Sequence, residues 1–306
     1  MLTASTGGGS SGSTTTETTD TTGAQADEPC CDELDVLLVL DQSHSMEQEC
    51  FEEGLGNAAL RAKDFFTVID EETKSAHIGV TWASVVPENP EACRGIGDLA
   101  VGRSNDHCVE AVLGGLSYLA SETIQGDENK FWSGLLCILA AGTVPEWPEQ
   151  DDPQPIKAVL EALTPEKSQP GGCNDGFARP AAPLLVLLFT NADQAPLQDP
   201  WSPMPQGWGS DLVMLRGPGK AYDRIGVVTI VGPDILADPG VCQAAAPEKL
   251  LEFSDIFDPM QTRRYDICSL KQPDKCQANT DDALVPATEF LEESLRNVTC
   301  AICGGR

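Results

Sequence analysis

Asp41, Ser43 and Ser45 place three oxygen donors at alternate positions directly after an apolar run, Val36 to Leu40. A run of that length suits a strand buried on both faces, so the three side chains fall on the loop leaving its carboxyl end. One carboxylate and two neutral hydroxyls suit a small hard cation, Mg²⁺ first and Mn²⁺ or Ca²⁺ as alternatives, and leave coordination positions open for a ligand. In an open α/β sheet, the carboxyl end of a strand is also where ligands bind. His44, between the serines, reads as an exposed loop residue, because imidazole suits softer ions. A plainer role competes with this one: Asp and Ser are common at helix N-caps and at strand-end turns.

The elements that must position this loop alternate between two periods. Residues 34–40, 77–83 (HIGVTWA), 182–189 and 225–231 (IGVVTIV) are short apolar runs of strand length. Between them, residues 54–69, 109–121, 131–141 and 156–163 carry apolar residues at helical spacing, and further helices are expected at 247–254 and 282–297. Strands alternating with helices predict an α/β fold, a doubly wound, mostly parallel sheet with helices on both faces. Residues 195–220, rich in Trp, Pro and Gly, are long for a connection and read as a functional insertion. Residues 1–29, rich in Thr, Ser and Gly, read as a disordered tether, with one folded domain over 30–306.

Composition narrows the class of function. The balance of 48 acidic to 19 basic residues, a formal charge of −29, opposes binding to nucleic acid or to anionic membranes. Twelve cysteines at irregular spacing point to disulfides in an oxidising compartment rather than to metal thiolates, although Cys300-Ala-Ile-Cys303 has the tight spacing of a zinc pair. Adjacent Cys30 and Cys31 are expected to pin the start of the folded part. No stretch reaches the ~20 apolar residues of a transmembrane helix. The expected location is extracytoplasmic: cell surface, periplasm or secreted. The first residues lack the apolar core of a leader, so the leader is expected to be missing from this chain, and a lipid anchor upstream is conceivable but not visible.

The pattern Asp-x-Ser-x-Ser after a buried strand resembles the metal-ion-dependent adhesion site (MIDAS) of the von Willebrand factor A (VWA) family. The wider chain is similar to secreted or lipoprotein-type VWA proteins of Gram-negative bacteria, myxobacteria especially. The shared features are the tether, HIGVTWA, the Cys137 stretch leading to Gly142-Thr143, NDGFARPAAPLLVLLFTNADQ at 174–194, and Asp266-Ile267-Cys268 before a C-terminal helix. The resemblance covers about residues 34–303. It implies a Rossmann-like VWA fold in which three loops gather the cation. Asp41, Ser43 and Ser45 form the first loop, Thr143 is the candidate from the second, and Asn191 stands where the third normally presents an aspartate. Asp193 is the residue that could compensate for that missing charge. Gln194 and Ala195 also stand where family members often carry an acidic run and a cysteine.

Other chemistries lack their residues. A haloacid-dehalogenase-type phosphatase needs a second aspartate where Ser43 stands, and no strand is followed by Gly-x-Ser-x-Gly. Neither glycine-rich nucleotide loop nor a His-Glu-x-x-His helix is present. Asn297-Val298-Thr299 matches a glycosylation sequon and reads as chance. The expectation is therefore a non-enzymatic, cation-dependent binding module that docks a carboxylate of a partner protein or surface polymer. The alternative is a structural envelope protein with a degenerate, non-binding cation site.

Overall fold

A computed structural model describes residues 29–41, 66–85, 89–101, 115–121, 128–140, 153–190, 193–194, 196–198, 200–217, 222–231, 247–266 and 285–304. The chain order is β1 (Leu34–Leu40), a helix ending at 66–72 (α1), β2 (Ala76–Trp82), β3 (Leu119–Ala120), α2 (Glu128–Ala140), α3 (Pro155–Ala162) and α4 (Pro165–Ser168). It continues with β4 (Leu184–Phe189), α5 (Pro205–Leu215), β5 (Ile225–Val231), α6 (Glu248–Ser254), β6 (Thr262–Asp266) and α7 (Val285–Ile302).

The strands form one sheet in the order β3-β2-β1-β4-β5-β6. Every pair is parallel except β2–β3. Alternation of side chains across the sheet explains the continuous apolar runs. Val36, Leu38 and Leu40 pack with Phe66, Ile69, Leu135, Ile138, Val298 and Ile302 of α1, α2 and α7. Leu37 and Val39 pack on the other face with Ile156, Val159, Trp208, Leu212, Leu250 and Phe253 of α3, α5 and α6. The central strands are thus mostly apolar on both faces because each face lies under its own helical layer. This is the expected Rossmann-like α/β architecture.

Helix α7 lies flush on β5. A Cβ built on Gly226 would come within 2.8 Å of Val298 Cγ1 and 3.3 Å of Ile302 Cδ1, so only glycine admits the helix this close.

Two expectations are corrected. Of the helix expected over 109–121, residues 109–114 lie outside the described residues and 115–120 are not helical; Leu119 and Ala120 form the short antiparallel strand β3, pairing with Ile78 and His77. The segment 195–220 contains helix α5, whose Trp208 is fully buried and packs near Phe253 of α6, ring centroids 6.3 Å apart. Its wealth of Trp, Pro and Gly therefore serves packing: Pro205 starts the helix, and Gly209 lets Ile256 and Tyr222 approach.

Disulfides close the domain. Cys30–Cys300 and Cys31–Cys303 join the start of the fold to the end of α7, each with Cα atoms 5.3 Å apart. Cys93–Cys173, Cα atoms 5.5 Å apart, staples the loop after β2 to the turn before β4. The tight pair Cys300 and Cys303 is therefore bridged to Cys30 and Cys31 rather than forming a zinc site. Disulfides of this number belong to an oxidising compartment outside the reducing cytosol. Among the described residues, no helix is long and apolar enough to cross a membrane.

Candidate functional site

The chain builds β1 first, then β2 and β3 to one side, and returns to place β4 on the other side of β1. The point between β1 and β4 is therefore where the direction of winding reverses, the place where open α/β sheets bind ligands outside the carboxyl ends of their strands. Asp41 follows β1 and Thr190 follows β4, so both stand at that reversal. The Asp41 amide donates to the Phe189 carbonyl at 2.9 Å. The Thr190 hydroxyl donates to Asp41 Oδ2 at 2.5 Å. Asp41 is only 2% exposed and Thr190 is fully buried. The carboxylate is thus oriented by a hydroxyl from the neighbouring strand, which fixes its direction. Ser43, Ser45, Thr143 and Asn191 lie outside the described residues.

Asp193, the residue considered for the cation, is engaged by backbone amides. Its Oδ1 accepts from the amides of Gln194 (2.9 Å), Lys249 (3.1 Å) and Leu250 (3.3 Å), and Oδ2 also accepts from Lys249 at 3.3 Å. Helix α6 begins after Pro247, which provides no side-chain cap, so Asp193 satisfies its first amides from a distance. The carboxylate also sits at the positive end of the helix dipole. Gln194 repeats the device for α3: its Oε1 accepts from the amides of Ile156 (2.9 Å) and Lys157 (3.3 Å), and Gln154 provides no cap of its own. Lys249 Nζ then donates to the Gln194 carbonyl at 3.0 Å. Three neighbouring positions of the loop after β4 are therefore committed separately: Thr190 to Asp41, Asp193 to α6 and Gln194 to α3. The capping roles of Asp193 and Gln194 had no sequence signal, since each acts on a helix dozens of residues away.

The opposite, amino edge of the sheet holds a buried charge cluster that the sequence also concealed. Asp35, fully buried in β1, accepts from Arg179 through Nε at Oδ1 (2.8 Å) and through the backbone amide at Oδ2 (2.8 Å). Arg216 Nη2 reaches the same Oδ2 at 3.3 Å. The guanidiniums also donate to neighbouring carbonyls, Arg179 to Leu34 (2.7 Å) and Ser75 (3.3 Å), Arg216 Nη2 to Ala182 (2.5 Å) and Arg179 (3.1 Å), and Arg179 Nη1 donates to the Ser75 hydroxyl (2.5 Å). Burial pushes the Asp35 carboxyl above its ordinary value, opposed by the Arg216 and Arg179 charges. Burial likewise lowers Arg216, opposed by Asp35. At the edge of the sheet away from Asp41, this cluster clamps the segment before β4 to the base of β1.

Chemically, the carboxyl edge offers an oriented carboxylate and a hydroxyl, all hard oxygen donors. Such a set fits an alkaline-earth-type cation and not a soft one. The geometry stops at Asp41 and Thr190 for the described residues.

No family model matches the sequence, and no curated protein matches it. Among solved structures, proximal thread matrix protein 1 of the mussel byssus aligns with 90% of this chain and 49% of its own, at 12% identity and a TM-score of 0.41. A second structure of that protein aligns over 89% and 47%, at 11% identity and a TM-score of 0.40. The chain spans about half the length of that matrix protein.

Proposed function

We propose that this protein is a cation-dependent binding module of the VWA type, acting at the cell surface, in the periplasm or as a secreted protein, and that it performs no catalysis. A Mg²⁺ ion, or Mn²⁺ or Ca²⁺, is held at the carboxyl edge by Asp41 with Ser43, Ser45 and Thr143, and docks a carboxylate from a partner protein or surface polymer. The observation that carries this reading is the placement of Asp41. It is a buried carboxylate at the point where the sheet reverses its winding, oriented by the Thr190 hydroxyl. A carboxylate at that place is a charged oxygen ligand suited to a hard cation. Neutral hydroxyls from Ser43, Ser45 and Thr143 would leave the ion electrophilic toward an incoming acidic group.

The test is titration calorimetry of the oxidised protein with each metal alone, alongside Asp41→Ala. The proposal expects uptake of one ion per chain, lost in Asp41→Ala while the circular-dichroism spectrum is unchanged. Absence of uptake of all three metals by the wild-type protein overturns it.

A second reading, an envelope scaffold whose cation site has decayed, is favoured by Asp193. The one acidic side chain on the described part of the loop after β4 is engaged by helix amides. Partner capture unaffected by chelator would support this scaffold.

A further inference from the structure

The domain is closed by two bridges that share one place. Cys30 and Cys31 are consecutive, and their partners Cys300 and Cys303 lie on one face at the end of α7, with sequence separations of 270 and 272 residues. The chain therefore enters and leaves the fold at a single covalent junction. The surroundings tie the same point down. The Cys31 amide donates to the Glu72 carbonyl at 2.9 Å, the Lys74 amide donates to the Cys31 carbonyl at 3.0 Å, and Arg296 of α7 pairs with Glu71 at 2.8 Å and with Glu72.

The two bridges are not equivalent. Cys31 is 2% exposed and belongs to the core layer with Leu34, Val298 and Ile302, and Cys303 packs against that layer. Cys30 and Cys300 are both partly exposed, beside Glu72, whose Oε2 lies 3.5 Å from Cys300 Sγ. The inner bridge thus has one cysteine buried in the core layer, whereas both cysteines of the outer bridge are partly exposed.

We propose that this paired junction is a two-stage lock that diverts tension around the folded domain. A force applied through the chain before Cys30 and after Cys303 passes across the sulfurs, and the sheet carries none of it. The outer bridge, Cys30–Cys300, is the first to yield to a thiol reductant, and the inner bridge, Cys31–Cys303, then keeps the bypass closed by itself. In reduction by dithiothreitol, each bridge gains two electrons and two protons to become two thiols, while the reagent's two thiols become a cyclic disulfide. The inference is independent of any cation at Asp41.

Single-molecule extension of the full chain, held at its first and last residues, tests the bypass. In the chain, 29 residues precede Cys30 and three follow Cys303. At a fully extended ~3.5 Å per residue, those segments give an extension limit of roughly 110 Å for the oxidised protein, with no later release of length. The variants C30S/C300S and C31S/C303S are expected to match it to within about 20 Å, because either bridge suffices. The wild-type protein folded oxidised and then fully reduced in place is expected to release roughly 900 Å when it unfolds, and it serves where a four-serine variant fails to fold. Stepwise dithiothreitol with alkylation and mass spectrometry tests the order: Cys30 and Cys300 are labelled before Cys31 and Cys303. Release of hundreds of ångströms by the oxidised protein or by either two-serine variant overturns the bypass. Labelling of Cys31 and Cys303 first overturns the two-stage order.

Discussion

Replacing Asp35 with asparagine removes one charge from the buried cluster and almost no volume, so it isolates electrostatics from packing. With the carboxylate present, each guanidinium pairs with it at about 4 Å between charge centres, worth about 4 kcal/mol at an effective dielectric constant near 20. Desolvating three ions costs several kcal/mol each, so the intact cluster nets little stability. The Asp35→Asn variant would leave two buried guanidiniums, those of Arg216 and Arg179, 5% and 15% exposed at the side chain, facing each other without the carboxylate between them. Breaking a buried pair in this way costs about 3–5 kcal/mol. Guanidinium chloride unfolding, followed by the fluorescence of the buried Trp82 and Trp208, should show a lower midpoint at unchanged slope. The double mutant with Arg216→Met should lose less than the sum of the two singles, by about 2 kcal/mol, because removing Arg216 relieves the repulsion that Asp35→Asn creates. Additivity within about 0.5 kcal/mol, or a loss below about 1 kcal/mol for Asp35→Asn, would refute the reading of this cluster as a mutually compensated clamp.

Two further outcomes follow from the geometry. Asp193→Ala should cost about 1–2 kcal/mol by uncapping α6. Calorimetry should find its cation uptake within about twofold of wild type, in contrast to Asp41→Ala, since its oxygens are already engaged by amides. Gly226→Val should cost about 1–3 kcal/mol in thermal or denaturant unfolding, because its Cβ would stand 2.8 Å from Val298 Cγ1 and α7 must move off β5.

What can be read in the sequence follows the physics of burial. Strands β1, β4 and β5 are covered on both faces, so Leu34–Leu40, Leu184–Phe189 and Ile225–Val231 are dominated by apolar residues, interrupted by Asp35 in β1 and Thr229 in β5. The edge strand β6, Thr-Arg-Arg-Tyr-Asp, has no such run and gives no strand signal. Its identity comes from pairing with β5, a long-range property. Strand β3 is two residues long, too short for any period to register. Asp41 is legible because its partners in the argument are adjacent in sequence. Asp193, Gln194, Asp35 and Arg216 are not, because each meets partners between 34 and 181 residues away. Disulfide chemistry follows from the cysteine count, whereas the pairing of Cys30 and Cys31 with Cys300 and Cys303 requires the fold.

The loop after β4 bears on both readings of function. Its Thr190 orients Asp41 and its Asp193 holds α6, so the one carboxylate on the described part of that loop is engaged by helix amides. The position between them, Asn191, is the one where the VWA resemblance expects an aspartate. Affinity for a hard cation rises with the number of charged ligands, so a site with Asp41 as its charged donor binds weakly and stays electrophilic. Asn191→Asp should then tighten Mg²⁺ by about tenfold or more, a gain of about 1.4 kcal/mol, in calorimetry of the metal alone. A decayed site predicts a different pair of results: no uptake by the wild-type protein and uptake restored by Asn191→Asp, which would favour the scaffold reading. If neither protein takes up an ion, Asp41 and Thr190 form a structural link between β1 and β4, and the cation assignment fails for both readings.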